Sequence, residues 1–355
     1  MLAKLVFQAG RHFPLESMRY ARSTISNEIG LDKRYRVHVR YTERIYASYG
    51  GSMSKRELGI DEKPKGIQAI RALPDKALGA LWDSIIIEKS LKDQLLSQAV
   101  LNFTLRSKVP RTVVPLHGVI MLTGVPGTGK TSLARGLAHR VATAFPGGRF
   151  RLLEVEPHSL ASAAHGKTQR AVTDLFASAI AEAALADPVI VLLDEVETLA
   201  ADRAKLSMDA NPVDVHRATD AVLVQLDALA EAHQNLLFVA TSNFPQAVDS
   251  AFLSRCDLIL EVPLPGREAC ADILKDCLTG LGRAYPAIGK LALAPELAAV
   301  AEACVGLDGR AIRKMVANAL AANPDIAMNP ERVTMDNILA AARAARAARV
   351  KGAGA

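Results

Sequence analysis

The sequence predicts an α/β fold: a P-loop parallel sheet flanked by helices, followed by a C-terminal helical lid and preceded by a small N-terminal α+β module. Three observations carry that prediction. Gly124-Val125-Pro126-Gly127-Thr128-Gly129-Lys130-Thr131 is a complete G-x-x-x-x-G-K-[ST] loop, set between an apolar strand and a helix. Val189-Ile190-Val191-Leu192-Leu193 is a continuous apolar run, as a central parallel strand covered on both faces requires. From about Arg267 to Ala348 the pattern turns wholly helical.

In chain order, Tyr35, Val37, Val39 and Tyr41 alternate with Arg36, His38, Arg40 and Thr42, a half-buried strand signature. Gly50-Gly51 ends that run, and Lys63-Pro64-Lys65-Gly66 reads as a linker. Residues 1–66 are therefore expected to form the N-terminal module. Residues 67–265 are expected to form the nucleotide-binding domain. Its first strand, Gly118–Thr123, feeds the P-loop, and a helix runs from about Ser132 into Val141. A strand follows at Leu152–Val155. Val172, Leu175, Phe176, Ala179, Ile180 and Ala183 then share one helical face. Leu223, Leu226, Leu229 and Ala230 mark another helix, and Leu236–Thr241 and Leu258–Val262 two more strands. Pro263 and Pro265 punctuate the exit. Residues 266–355 form the expected lid and tail, broken at Gly306, Asn323-Pro324 and Asn329-Pro330.

Composition sets bounds. The chain has 355 residues, enough for two or three domains, and half are hydrophobic. Aromatics are scarce and alanine is abundant, which favours packed helices. Lys and Arg number 43 against 37 Asp and Glu, a mild excess that permits nucleic acid or an acidic partner but implies neither. The tail residues Arg343, Arg346, Arg349 and Lys351 are regularly spaced, as on the wet face of a helix. Cys256, Cys270, Cys277 and Cys304 form no C-x-x-C pair and read as buried free thiols in a reducing cytosol. The N-terminus is too soon interrupted for a signal sequence, and no run approaches transmembrane length. The expected location is cytoplasmic.

The chemistry-bearing residues follow the strands. Glycines let the P-loop amides turn inward around phosphate, and the following helix N-terminus adds its partial positive charge. Lys130 is placed to reach the β/γ-phosphates of ATP, and the Thr131 hydroxyl to ligate Mg²⁺. Asp194-Glu195 emerges at a strand's C-terminal end, where open α/β sheets bind ligands. Asp194 can hold Mg²⁺ through its waters, and Glu195 can polarise the attacking water. Asn243 ends the next strand, where a neutral amide can contact the γ-phosphate or orient water; an Asx-turn closing the strand is the plainer role. Arg255 can reach a neighbouring subunit's γ-phosphate or pair with Asp257. Asp308 can N-cap a lid helix that carries Arg310 and Arg313 on one face, and either arginine can meet phosphate.

These elements, in this order, resemble an AAA+ ATPase: Walker A, Walker B, a sensor asparagine, a trans arginine and a lid arginine. Further stretches are similar to the pachytene-checkpoint AAA+ family that remodels HORMA-domain proteins. They include Leu81-Trp82-Asp83-Ser84, Leu193-Asp194-Glu195-Val196-Glu197-Thr198-Leu199-Ala200-Ala201 and Asn211-Pro212-Val213-Asp214. Val222–Asp227, Ala251–Asp257 and Gly306–Lys314 extend the similarity, which covers about residues 78 to 345. The resemblance implies a homo-hexameric ring that hydrolyses ATP with Mg²⁺. It implies that the ring partly unfolds a HORMA protein as the chain threads its pore. Bacterial relatives accompany cyclic-oligonucleotide anti-phage systems, which implies a nucleotidyltransferase partner.

One departure stands out. The family places bulky residues in its first pore loop, near His158–Lys167 here, where Leu160 is the one bulky apolar side chain. Leu160 is thus the expected grip on substrate. His165 and His216-Arg217 can touch a polypeptide or lie solvated. Residues 1–66 are by position the expected recognition element. Two other readings compete. Ser254-Arg255-Cys256 is also similar to clamp-loader subunits, but those lack this strand module and usually carry a collar after the lid. A non-hydrolysing scaffold is opposed by the intact Glu195.

Overall fold

The computed structural model describes residues 64–353, except 158–159, 161–166 and 204–211. The N-terminal module expected over residues 1–66 lies outside the described residues apart from its last three. So do His165 and most of the first pore loop.

Six strands form one sheet in the order β1-β3-β4-β5-β2-β6. They are β1 (Ile67–Leu73), β2 (Val119–Thr123), β3 (Phe150–Val155), β4 (Val189–Leu193), β5 (Leu236–Ser242) and β6 (Leu258–Glu261). The last five pair in parallel, as the apolar runs predict. The sheet is nonetheless mixed, because β1 adds to β3 antiparallel. Hydrophobic periodicity shows no strand at β1. Only Ile67 and Leu73 of that edge strand are buried, and its register shifts between Ile67 and Ala69, so its pattern does not alternate.

Alternate residues of the central strands feed two cores. Val119, Met121, Val189, Val191 and Leu193 pack on one face with Phe176, Leu226 and Phe252. Ile120, Leu122, Ile190 and Leu192 pack on the other with Trp82, Leu133 and Leu137. Helices α1 (Lys76–Ser84), α2 (Lys89–Leu105) and α3 (Lys130–Ala144) cover that second face. The first face is covered by α4 (Lys167–Asp174), a wider turn at Leu175–Ile180 running into α5 (Ala181–Ala184), and α6 (Pro212–Ala232). The short α7 (Ser250–Leu253) leads into β6, with Asp249 as its N-cap.

Six helices follow: α8 (Arg267–Gly282), α9 (Pro286–Leu291), α10 (Leu297–Cys304), α11 (Gly309–Leu320), α12 (Pro324–Met328) and α13 (Met335–Ala353). They share a third core that includes Leu274, Val300, Ile312, Met315 and Ile338. The expected breaks are caps. Asn323 accepts the Ile326 amide ahead of α12, and Asp308 accepts the Ala311 amide ahead of α11. The extended Ile85-Ile86-Ile87 joins the cores. Ile85 and Ile87 pack on the sheet side and Ile86 on the helical side.

Leu160 corrects an expectation. It is fully buried in the first core, and a Cβ on Gly66, whose φ is +92°, would come within 2.5 Å of its side chain. A leucine closed over a left-handed glycine and packed beside Leu175 is a core residue, so Leu160 does not present itself to a substrate. Arg349 also leaves the wet face expected for the tail. Arg343 and Arg346 are exposed, whereas Arg349 is half-buried against Asp308.

Candidate active site

The P-loop connects β2 to α3 and is built on left-handed glycines. Gly127 at φ +89° and Gly129 at φ +93° adopt a backbone that other residues rarely hold. A Cβ on Gly129 would meet Ile85 at 2.5 Å, and one on Gly127 would strike the Asp308 carboxylate. The loop is thus threaded between the Ile85 segment and the lid. Lys130 opens α3 almost fully buried and donates to Gly124 O at 2.7 Å and Val125 O at 3.0 Å. Burial pulls its pKa below the ordinary lysine value; the Glu197 and Asp194 carboxylates oppose that pull.

The sheet order brings the carboxylates to the loop. β5 lies between β4 and β2, so all three C-terminal ends converge. Thr131 Oγ1 donates to Asp194 Oδ1 at 2.8 Å, and Thr241 Oγ1 donates to the same oxygen at 2.5 Å. Thr241 also accepts the Glu195 amide at 3.2 Å. Glu195 has φ 52° and ψ 56°, the one left-handed non-glycine among the described residues. A conformation of that kind costs of order 1–3 kcal/mol and persists where surrounding contacts enforce it. Here Thr241 holds its N–H, and Thr198 donates to its carbonyl from both backbone and side chain. Asn243 Nδ2 donates to Glu195 Oε1 at 3.3 Å, and the Asn243 amide donates to Glu197 Oε1 at 3.1 Å.

A cavity of about 440 Å³ opens beside the loop. Gly127, Thr128 and Gly129 line one side, Arg310 and Arg313 of the lid another, and Ile85, Ile87, Pro263 and Ile273 its apolar wall. Loop amides and lid arginines set beside aliphatic side chains suit a nucleotide, which has both charged phosphates and an apolar base face. Arg313 also donates to Ser84 O at 3.2 Å and to Asp276 at 2.8 Å. The oxygen pair Thr131–Asp194 fits Mg²⁺, which takes few protein ligands and completes its shell with water and phosphate. Among the described residues no cluster of three or more His, Cys, Asp or Glu could hold a metal without such help.

Thr131, Asp194, Glu195 and Asn243 lie beyond the lining of this cavity, and so does Arg255, which bonds to none of them. Its expected partner is also corrected. Arg255 pairs with Asp227 through Nε at 2.9 Å and Nη2 at 2.7 Å, not with Asp257. Asp257 is committed elsewhere, accepting the amides of His117, Gly118 and Val119 at the start of β2. The hydrogen bond to Asp227 pushes the Arg255 pKa up, and Arg255 in turn holds the Asp227 carboxyl below its usual range.

Sequence patterns miss several contributors. Thr241 ties Asp194 to Glu195 and is buried, with Ser242, at the end of a strand that is apolar up to Ala240; buried hydroxyls in that setting are the signal. Glu197 positions Asn243 from within the quoted Walker B stretch. Ile85 and Ile87 give no motif signal.

The "ATPase family associated with various cellular activities (AAA)" model matches residues 120–264. CD-NTase-associated protein 6 of Pseudomonas aeruginosa is 67% identical over 300 residues, covering 84% of this chain and 99% of that protein. The chain belongs to the AAA ATPase family. This AAA ATPase is also similar to the Pachytene checkpoint protein 2 homolog of Oryza sativa subsp. indica, with 34% identity over 71% of this chain. That match spans 61% of the rice protein, so the chain accounts for about three-fifths of that relative's length. A chain of the Escherichia coli MS115-1 HORMA:CdnC:Trip13 complex has the same fold, with a TM-score of 0.64 and 19% identity over 79% of this chain and 96% of that one. The family recognised in the sequence is the family these comparisons return. No helix among the described residues is long and apolar enough to cross a membrane.

Proposed function

We propose that this AAA ATPase hydrolyses ATP in a homo-hexameric ring, partly unfolds a HORMA-domain protein and so disassembles its complexes beside a nucleotidyltransferase partner in bacterial anti-phage defence. The observation that carries the ATPase half is the convergence of Thr131, Asp194, Glu195 and Asn243 on the P-loop. The remodelling half is supported by the relatives: one is named for its association with a CD-NTase, and a chain of the same fold sits in a HORMA:CdnC:Trip13 complex.

In this reading the P-loop amides and Lys130 hold the β- and γ-phosphates. Arg310 and Arg313 close on them from the lid. Thr131 and Asp194 hold Mg²⁺, which when bound neutralises developing phosphate charge. Glu195 Oε accepts a proton from the water that attacks the γ-phosphate, and Asn243 fixes that carboxylate's direction. Arg255 bonds to Asp227 and Ala251 rather than to these groups, which is compatible with a guanidinium offered to the next subunit.

The test is to purify the chain with a HORMA protein encoded nearby. Phosphate release and loss of the HORMA complex are then followed together, with and without ATP–Mg²⁺. ATP-dependent disassembly supports the proposal. Hydrolysis without action on any such complex would remove the substrate assignment and return the clamp-loader alternative to consideration.

A further inference from the structure

We infer that Arg349, near the end of α13, is a positioning residue for nucleotide binding: it cancels the Asp308 carboxylate that the lid presses against Gly127 of the P-loop. The inference rests on the nucleotide reading of that loop and adds a residue from the far C-terminal helix.

The contacts form a chain. Asp308 Oδ1 accepts the Ala311 amide at 2.8 Å and so caps α11, the helix of Arg310 and Arg313. The same carboxylate fills the space where a Gly127 side chain would stand. The Arg310 amide donates to Gly127 O at 3.3 Å, which fixes the start of α11 on the loop. An acid at this place is electrostatically costly, because a phosphate-binding loop must receive several negative charges close by. Arg349 Nη1 meets Asp308 Oδ2 at 2.5 Å, from 41 residues along the chain. The pair is partly buried, with Asp308 only 13% exposed, so solvent screens it incompletely. Arg343 and Arg346 lie on the same helix and stay exposed, which singles out Arg349. Removing the arginine leaves an unbalanced carboxylate against the loop that receives phosphate. It also unfastens α13 from the N-cap of the lid helix.

The test uses the full-length chain and titration with fluorescent ADP–Mg²⁺. Arg349→Ala should weaken ADP binding by roughly tenfold, the scale of one unbalanced charge beside the phosphates. Arg349→Lys should recover most of that loss. The double variant Asp308→Asn, Arg349→Ala keeps a capping side chain but removes the charge, and should bind ADP within about twofold of wild type. Competition by adenosine, which has no phosphate, should be unchanged by Arg349→Ala. ADP affinity unaltered in Arg349→Ala would overturn the inference. So would a double variant as weak as the single one, or an equal loss for adenosine, since each means packing rather than charge. Failure of the wild type to bind ADP would instead remove the nucleotide reading beneath it.

Discussion

Asn243 Nδ2 points its hydrogen at Glu195 Oε1 across 3.3 Å, joining the end of β5 to the end of β4. The amide aims the carboxylate, as a base for water requires. Glu195→Gln should bind ATP–Mg²⁺ like wild type and hydrolyse it about 10²–10⁴-fold more slowly, the usual worth of a general base. Asn243→Ala should lower turnover more than affinity. Steady-state hydrolysis with an independent ATP titration separates the two. Wild-type turnover in Glu195→Gln would take that residue out of the role.

Thr241 offers a test of the Mg²⁺ assignment. Its hydroxyl binds Asp194 Oδ1 and the Glu195 amide at once. Thr241→Val preserves the shape of a buried residue and deletes both bonds. The expected result is lower turnover and a higher Mg²⁺ concentration for half-maximal hydrolysis. An unchanged Mg²⁺ dependence would show that Thr241 does not hold Asp194 for the ion.

Leu160→Ala should act on stability. A fully buried leucine cut to alanine loses about 2–5 kcal/mol through lost transfer energy and the cavity left behind. Denaturant unfolding of the variant reads this directly. A variant as stable as wild type that still fails to engage substrate would restore the gripping role.

The thiols give a prediction in pH. Burial pushes Cys304 up to about 12 and Cys270 up to about 11, and burial with Asp257 nearby pushes Cys256 up to about 12. All three should stay protonated at pH 8 and react slowly with a thiol-specific disulfide reagent until the protein is unfolded. Rapid native labelling of Cys256 would contradict its placement.

Much of this was legible in the sequence because it is local. Val189–Leu193 is bounded as its apolar run predicts, and the P-loop, Asp194-Glu195 and Asn243 meet because each sits at a strand end. What was not legible depends on long-range partners. Arg255 finds Asp227 on α6, and Asp308 meets Arg349 41 residues away, neither signalled by spacing. Leu160 looks like an exposed loop residue until Gly66, from before β1, closes over it. The edge strand β1 has too few buried positions to show a period of two.

The proposed mechanism places hydrolysis where two subunits meet, with Arg255 of one completing the cavity of the next. The decisive measurement mixes two inactive variants, Arg255→Ala and Lys130→Ala, and follows phosphate release. Some mixed boundaries then pair an intact P-loop with an intact arginine, and hydrolysis should return. No recovery, in assemblies shown to exchange subunits, would contradict action across the boundary and leave Arg255 as the structural partner of Asp227.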